Sequence, residues 1–99
     1  MFVNTIEFPG IQQENDSKFR EWFRRSNETY EKFDGFIRRR LLKRTKGGEP
    51  TYVALVEHEN EQTFMRMHTS AERQQAFERL KPLIGSDSLK VQFFEVVEG

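Results

Sequence analysis

The sequence contains no cysteine. Disulfides, thiolate metal sites and cysteine nucleophiles are therefore excluded, and a cytoplasmic setting is the default expectation. It also has no apolar run near the ~20 residues of a membrane-spanning helix. Its opening residues, MFVNTIEFPG, lack the basic start and apolar centre of a secretory signal. Net charge is missing too. Lys plus Arg and Asp plus Glu each number 16, so no global field draws the chain to nucleic acid or to a membrane surface. Internal repeats and low-complexity segments are likewise not found.

What the chain does have is aromatic side chains on a charged background. Its 99 residues include ten Phe, two Tyr and one Trp, and 32% are charged. This composition fits a folded domain with a charged surface, not a disordered chain. One domain over residues 1–99 is expected. A chain of this size buries only roughly two-thirds of its unfolded surface, so it gains from a partner.

Residues 2–8 alternate as a strand, with Phe2, Asn4, Ile6 and Phe8 on one face. Pro9-Gly10 ends it, and Asn15, Asp16 and Ser17 are candidate helix caps. Phe19, Trp22, Phe23 and Tyr30 then form an amphipathic helical stripe that Asp34-Gly35 stops. Strands are expected over 36–45 and 51–59, joined by the turn Lys46-Gly47-Gly48-Glu49-Pro50. Asn60 caps a second helical region. Its first stretch carries Phe64 and Met67, and its second, from about Ser70 to Leu80, carries Ala76, Phe77 and Leu80. Pro82 and Gly85 break the pattern, and residues 88–97 read as the last strand.

The order β-α-β-β-α-β predicts an α+β, ferredoxin-like fold: a four-stranded antiparallel sheet with the helices on one face. The other face is a problem. In the third strand Val53 and Leu55 oppose Tyr52, Ala54 and Val56. In the last, Leu89, Val91, Phe93 and Val97 oppose Phe94 and Val96. A sheet with one wet face should alternate with polar residues. A homodimer through the open sheet face is therefore expected.

Asp34-Gly35-Phe36, the hairpin, VEHENEQTF and the final FFEVVEG together resemble the antibiotic-biosynthesis-monooxygenase (ABM-like) superfamily over essentially the whole chain. Glu59 to Phe64 is similar to a W-E-S-x-E-x-F pattern of that family, with His58 at the Trp position. The resemblance implies a dimeric α+β barrel and a monooxygenase. Its substrate would be aromatic, polyketide-like or a tetrapyrrole, held in an apolar pocket between helices and sheet. The closest-looking branch is the haem-degrading (IsdG-type) monooxygenases, which use an Asn on the first strand, a Trp on the second helical region and an axial His. Asn4 stands at the first position, Met67 at the second, and Ala76 or Phe77 at the third. The implied cofactor is none, or haem. A non-catalytic haem- or small-ligand-binding or sensing protein is the alternative.

On these grounds Asn4 is the candidate for orienting substrate or dioxygen. An amide among Phe2, Ile6 and Phe8 must find a hydrogen bond, and the bland reading is a neighbouring backbone group. His68 is the candidate base, weighed against a surface or interface role. Trp22, Phe23, Phe64 and Met67 are candidate substrate-binding residues, each of which also reads as plain core. His58 reads as packing or strand edge. The two histidines have no metal-ligand spacing, so no metal site is expected. Within Arg38-Arg39-Arg40, alternation puts Arg39 on one face and the other two on the opposite face. Ion pairing with glutamates is favoured for them over an anionic substrate. RNA-recognition modules share this element order, but TYVALVEHE has no glycine and no phenylalanine where they need stacked aromatics. Nucleic acid is therefore not an expected partner.

Overall fold

The alternation in residues 2–8 produces strand β1 (Phe2–Phe8) at the centre of the sheet. In this computed structural model, residues 1–8, 10–47, 52–85 and 89–99 are described. A short 3-10 turn, Gln13–Asn15, leads into α1 (Asp16–Tyr30). Then follow β2 (Phe36–Lys43), β3 (Tyr52–His58), α2 (Glu61–His68), α3 (Ala71–Leu80), a 3-10 turn at Lys81–Leu83 and β4 (Lys90–Glu95). The sheet order is β2-β3-β1-β4, antiparallel at each contact. This is the expected ferredoxin-like plait.

Several boundaries differ from the sequence reading. The 36–45 and 88–97 strands are shorter, at 36–43 and 90–95. Most of the expected turn, residues 48–50, lies outside the described residues, as do Thr51 at the expected start of the third strand, Pro9 and residues 86–88. Asn15 precedes α1 without a side-chain cap, because its backbone is already helical (φ −101°, ψ −2°) and not extended as at Asn60 and Ser70. Helix α1 ends at Tyr30, and Gly35 sits beyond it with φ +83°. Asn60 does cap α2, its Oδ1 accepting from Thr63 N at 2.9 Å. Ser70 caps α3 in the same way through Arg73 N at 3.1 Å.

A β-bulge at the start of β2 decides which arginine goes inside. Phe36 pairs with His58, but Arg38 pairs with the next residue along, Glu57. Ile37 is the extra residue. Phe36, Arg39 and Leu41 thus face the helices while Arg38 and Arg40 face away. The latter two grip Glu57, at 2.7 Å from Arg38 and 3.3 Å from Arg40. At the far end of the sheet the Tyr52 hydroxyl donates to Asp16 and accepts from Arg20 at 3.0 Å, tying the start of α1 to β3.

The core divides in two. Phe8, Phe19, Phe23, Tyr52, Ala54, Leu80 and Ile84 form one apolar cluster. Phe2, Tyr30, Val56, Phe64, Met67 and Ala76 form the other. Between them one row crosses the helix-facing side of the sheet: Phe93, Asn4, Val56 and Arg39, in register on the four strands. Two of these four residues are polar and buried.

Candidate functional site

Above that row the helices do not close fully on the sheet. A cavity of about 40 Å³ remains, lined by Asn4, Ile6 and Phe8 from β1, Trp22 and Tyr30 from α1, Arg39 from β2 and Val56 from β3. Phe64, Met67 and His68 from α2 and Arg73, Phe77 and Leu80 from α3 close the roof, with Leu89 beside β4. It has room for roughly three water molecules. No acidic residue lines it.

Asn4 is 1% exposed. Its Nδ2 donates to Gln92 O at 3.0 Å and to Thr5 O at 3.3 Å. Two carbonyls on that side fix the amide orientation, since an oxygen there would face two acceptors. Oδ1 takes no hydrogen bond from the described residues. The nitrogen thus satisfies neighbouring backbone, as the bland reading has it, and the oxygen has no partner among the described residues.

His68 ends α2, where its ring stacks on Phe64 at 5.2 Å and meets the edge of Phe93 at 6.4 Å. Burial, and then the nearby Arg73 charge, hold its pKa below the ordinary histidine value. The imidazole is neutral at pH 7 and able to take a proton.

The candidate binding residues separate. Trp22, Phe64 and Met67 line the cavity. Phe23 does not. It is one step round the helix from Trp22, and the Arg39 guanidinium covers its ring at 4.0 Å. Phe23 is the floor under Arg39, not a cavity wall.

Arg39 corrects a larger expectation. Ion pairing with glutamate holds for Arg38 and Arg40 but not for Arg39. Only 8% of it is exposed, and no carboxylate reaches it among the described residues. Nη1 instead donates to Ser26 Oγ at 2.7 Å, Asn27 Oδ1 at 2.8 Å and, more weakly, Phe23 O at 3.4 Å. The rings of Phe23, Tyr30 and Trp22 surround it, the latter two at 4.9 and 5.5 Å. Burial lowers its pKa to about 10, so it stays charged at neutral pH. Tyr30 beside it is pushed up, chiefly by burial. The sequence signal was its placement opposite Arg38 and Arg40, on the face of Leu41.

His58 is a core residue with 0% exposure. Its Nδ1 lies 3.1 Å from the Thr63 hydroxyl, which is itself 3.0 Å from Asn60 O. Nε2 lies 3.4 Å from Met67 Sδ. Met67 in the cavity roof thus has His58 behind it.

A haem group, which the family resemblance admits, does not fit these residues. Ala76 and Phe77 offer no ligand atom, and the Met67 sulfur is turned toward His58. The His68 ring is held flat on Phe64. The cavity is far smaller than a tetrapyrrole. Among the described residues no three His, Asp or Glu side chains gather to hold a metal ion. Nor is any described helix long and apolar enough to cross a membrane.

No protein-family model matches the sequence, and no curated protein matches it. Solved structures do. A Deinococcus radiodurans protein provisionally named an antibiotic biosynthesis monooxygenase superposes with a TM-score of 0.81 at 18% identity. That match covers 100% of this chain and 95% of the other. A Nitrosomonas europaea protein of the same provisional name gives 0.78 at 15% identity, over 99% and 100% of the two chains. The chain has the fold that these structures share. Another structure with this fold is SnoaB of Streptomyces nogalater, a cofactor-independent oxygenase, which matches at 0.74 and 20% identity over 99% and 92%. At such identities the likeness establishes the fold, and the chemistry rests on the cavity's own residues.

Proposed function

We propose that this ABM-like protein is a small-molecule monooxygenase that acts on an aromatic substrate in the cavity above Asn4. The observation that carries the reading is the pairing of the Asn4 amide, whose oxygen takes no hydrogen bond from the described residues, with the neutral His68 imidazole on the walls of one apolar cavity. The naming of fold neighbours as monooxygenases supports it, as does the cofactor-independent oxygenase among them.

The chemistry asked of these residues is modest. The suitable substrate is an aromatic carbon acid with a ring-activated CH2. His68 takes one proton, and the conjugate base is delocalised over the ring. This carbanion delivers electrons to dioxygen and a C–O bond forms. The second C–H proton and the O–O bond are then lost, giving C=O and one molecule of water. One oxygen atom enters the product, the other leaves as water, and the substrate supplies all four electrons. Asn4 orients the reacting oxygen or the substrate, and the apolar walls exclude bulk water. The small cavity favours a one-ring substrate over a tetrapyrrole, with Met67 and Phe77 as the side chains that must yield.

The homodimer belongs to the same reading. On the open sheet face Val3, Leu42, Val53, Leu55 and Phe94 form an apolar field. Its carboxylates are already neutralised within the chain. Glu57 is held by Arg38 and Arg40, and Glu7 lies 3.4 and 3.5 Å from Arg44 and Lys90. Covering such a face costs less than covering free charges.

Oxygen uptake with one-ring aromatic carbon acids that carry a ring-activated CH2 tests the proposal. Consumption should track one-to-one formation of the oxygenated product and should collapse in Asn4→Ala. If no such compound supports uptake above the buffer rate, the oxygenase reading fails.

A further inference from the structure

We propose that the cavity selects a substrate bearing a planar oxyanion on its aromatic ring, bound by the Nε and Nη2 face of Arg39. This deepens the oxygenase reading and rests on it for the identity of the cavity as the substrate site.

A buried cation ordinarily has a buried anion beside it, because taking a charge out of water is costly unless it is compensated. Arg39 breaks that rule. Its guanidinium is enclosed by three aromatic rings, yet its ordinary partners are a hydroxyl and an amide oxygen, both on Nη1. Among the described residues Nε and Nη2 make no hydrogen bond at all. They are not sealed off either. The one described side-chain nitrogen or oxygen that is both enclosed and unpaired is a Glu7 oxygen, at the other face of the sheet. Arg39 lines the cavity, so these donors are the ones it has left to offer there.

Nε–H and one Nη2–H point in parallel from a planar group. That fork matches two oxygens of a carboxylate, or a phenolate oxygen held by both donors. The rest of the cavity agrees in sign. Arg73 is its second cation, and its walls carry no carboxylate to compete. Neutral His68 adds no charge of its own at pH 7. Tyr30, also in the wall, stays protonated because burial raises its pKa.

Position gives the ligand a direction. Asn4 and Arg39 occupy one row with Val56 between them, two strand spacings apart. That is about 10 Å along the sheet. A substrate ring lying along this row would put its oxyanion at Arg39 and the reacting carbon toward Asn4 and His68. The aromatic rings around Arg39 are then the stacking surface for the substrate ring as well as the support for the cation.

Trp22 is the sole tryptophan and lines the cavity, so its fluorescence reports occupancy. Benzoate and benzamide form one charged and neutral pair, and 4-nitrophenolate and 4-nitroanisole form another. At neutral pH the wild type should bind at least one anion roughly ten- to a hundredfold more tightly than its neutral partner. The better of benzoate and 4-nitrophenolate identifies the oxyanion. In Arg39→Met the preference of each anion over its own neutral partner should vanish. Arg39→Lys, which keeps charge but not the fork, should retain only part of it. Equal binding of anion and neutral by the wild type, or full preference in Arg39→Met, overturns the proposal. If circular dichroism shows Arg39→Met unfolded, Arg39→Lys decides: an undiminished preference rejects the fork. The two readings fail separately. Anion preference without oxygen consumption removes the oxygenase, and oxygenation without anion preference removes Arg39 as its recognition residue.

Discussion

The Trp22 indole Nε1 donates to the Ala76 carbonyl at 2.8 Å, joining α1 to α3 at the edge of the cavity. The same ring stacks on Phe19 and meets the edge of Phe8. Trp22→Phe keeps much of the apolar contact but deletes the donor. We expect a loss of about 1–2 kcal/mol in stability, combining the missing bond with reduced packing. Urea unfolding should show a lower midpoint with an unchanged slope. A midpoint equal to wild type would mean that the bond holds no weight in joining the helices.

The elements were legible because each apolar period is clean: two in β1, and 3.6 for Phe19, Trp22, Phe23 and Tyr30. The helix cap Asn60 was legible for local chemical reasons, whereas Ser70 marked only the start of the next stretch and its capping bond emerged in the structure. The site was only half legible. Asn4 stood out as an amide within an apolar alternation. Arg39 did not, since a run of three arginines looks alike residue by residue, and its burial depends on a bulge that pairs Arg38 with Glu57. The same limit applies to Phe23 against Trp22. They differ by one helical step, and the cation that covers Phe23 comes from a strand 16 residues further on. The Thr63–His58–Met67 contacts depend on the meeting of β3 with α2, which no local pattern displays.

Asn4→Ala removes two donated hydrogen bonds and the acceptor facing the cavity. Stability should fall by roughly 1–3 kcal/mol, the cost of leaving buried carbonyls unpaired. Turnover on an aromatic carbon acid should fall by about a hundredfold, typical for loss of one preorganised polar contact. Steady-state oxygen uptake on the folded variant separates the two effects. Turnover at the wild-type rate would make Asn4 a structural residue alone.

Both histidines are held below their ordinary pKa by burial, His58 in the core and His68 in the cavity wall. The folded state therefore binds fewer protons than the unfolded state as pH falls through the histidine range. Sign follows from that difference: stability is highest above the unfolded-state value of ~6.5 and declines as pH drops below it, until the folded-state values are passed. Activity that depends on neutral His68 should hold through pH 7 and fall on the acid side, below the ordinary histidine range. Arg73→Gln should move that acid limb upward in pH, because the Arg73 charge helps to depress His68. NMR titration of the two imidazoles reads both effects. A His68 that titrates above the ordinary value would refute them.

Gly35 has φ +83°, and a Cβ placed there would lie 2.4 Å from the Thr63 side chain. Its carbonyl also accepts from Glu59 N at 2.8 Å, closing the end of the β2–β3 pair. Gly47 has a similar φ, +93°, but its nearest neighbour to an added Cβ is an Arg44 side-chain atom at 3.7 Å. Gly47→Ala should therefore cost only the backbone term, about 1 kcal/mol. Gly35→Ala should cost roughly 2–5 kcal/mol, since backbone strain and overpacking against Thr63 add. Thermal denaturation of the pair isolates the steric part. Equal losses would show that Thr63 yields without penalty, and with it the hold on His58.

Phe94 is 49% exposed in the single chain and stands opposite Val3 on the face without helices. If a second copy covers that face, Phe94 is at the seam between two sheets. Its replacement by Glu then costs the monomer little, since the ring is half in water already, but buries an unpaired charge in the dimer. Glu7 and Glu57 cannot relieve it, being carboxylates themselves, and the nearby cations are already engaged with them. Equilibrium sedimentation at micromolar concentration should find a wild-type dimer and a folded Phe94→Glu monomer. Asn4, Arg39 and the cavity lie on the opposite side of the sheet. Ligand binding by the monomeric variant should therefore persist unless the second copy stiffens the sheet beneath the row. A wild-type protein that sediments as a monomer would leave Val3, Leu42, Val53, Leu55 and Phe94 facing water, and would refute the covered face.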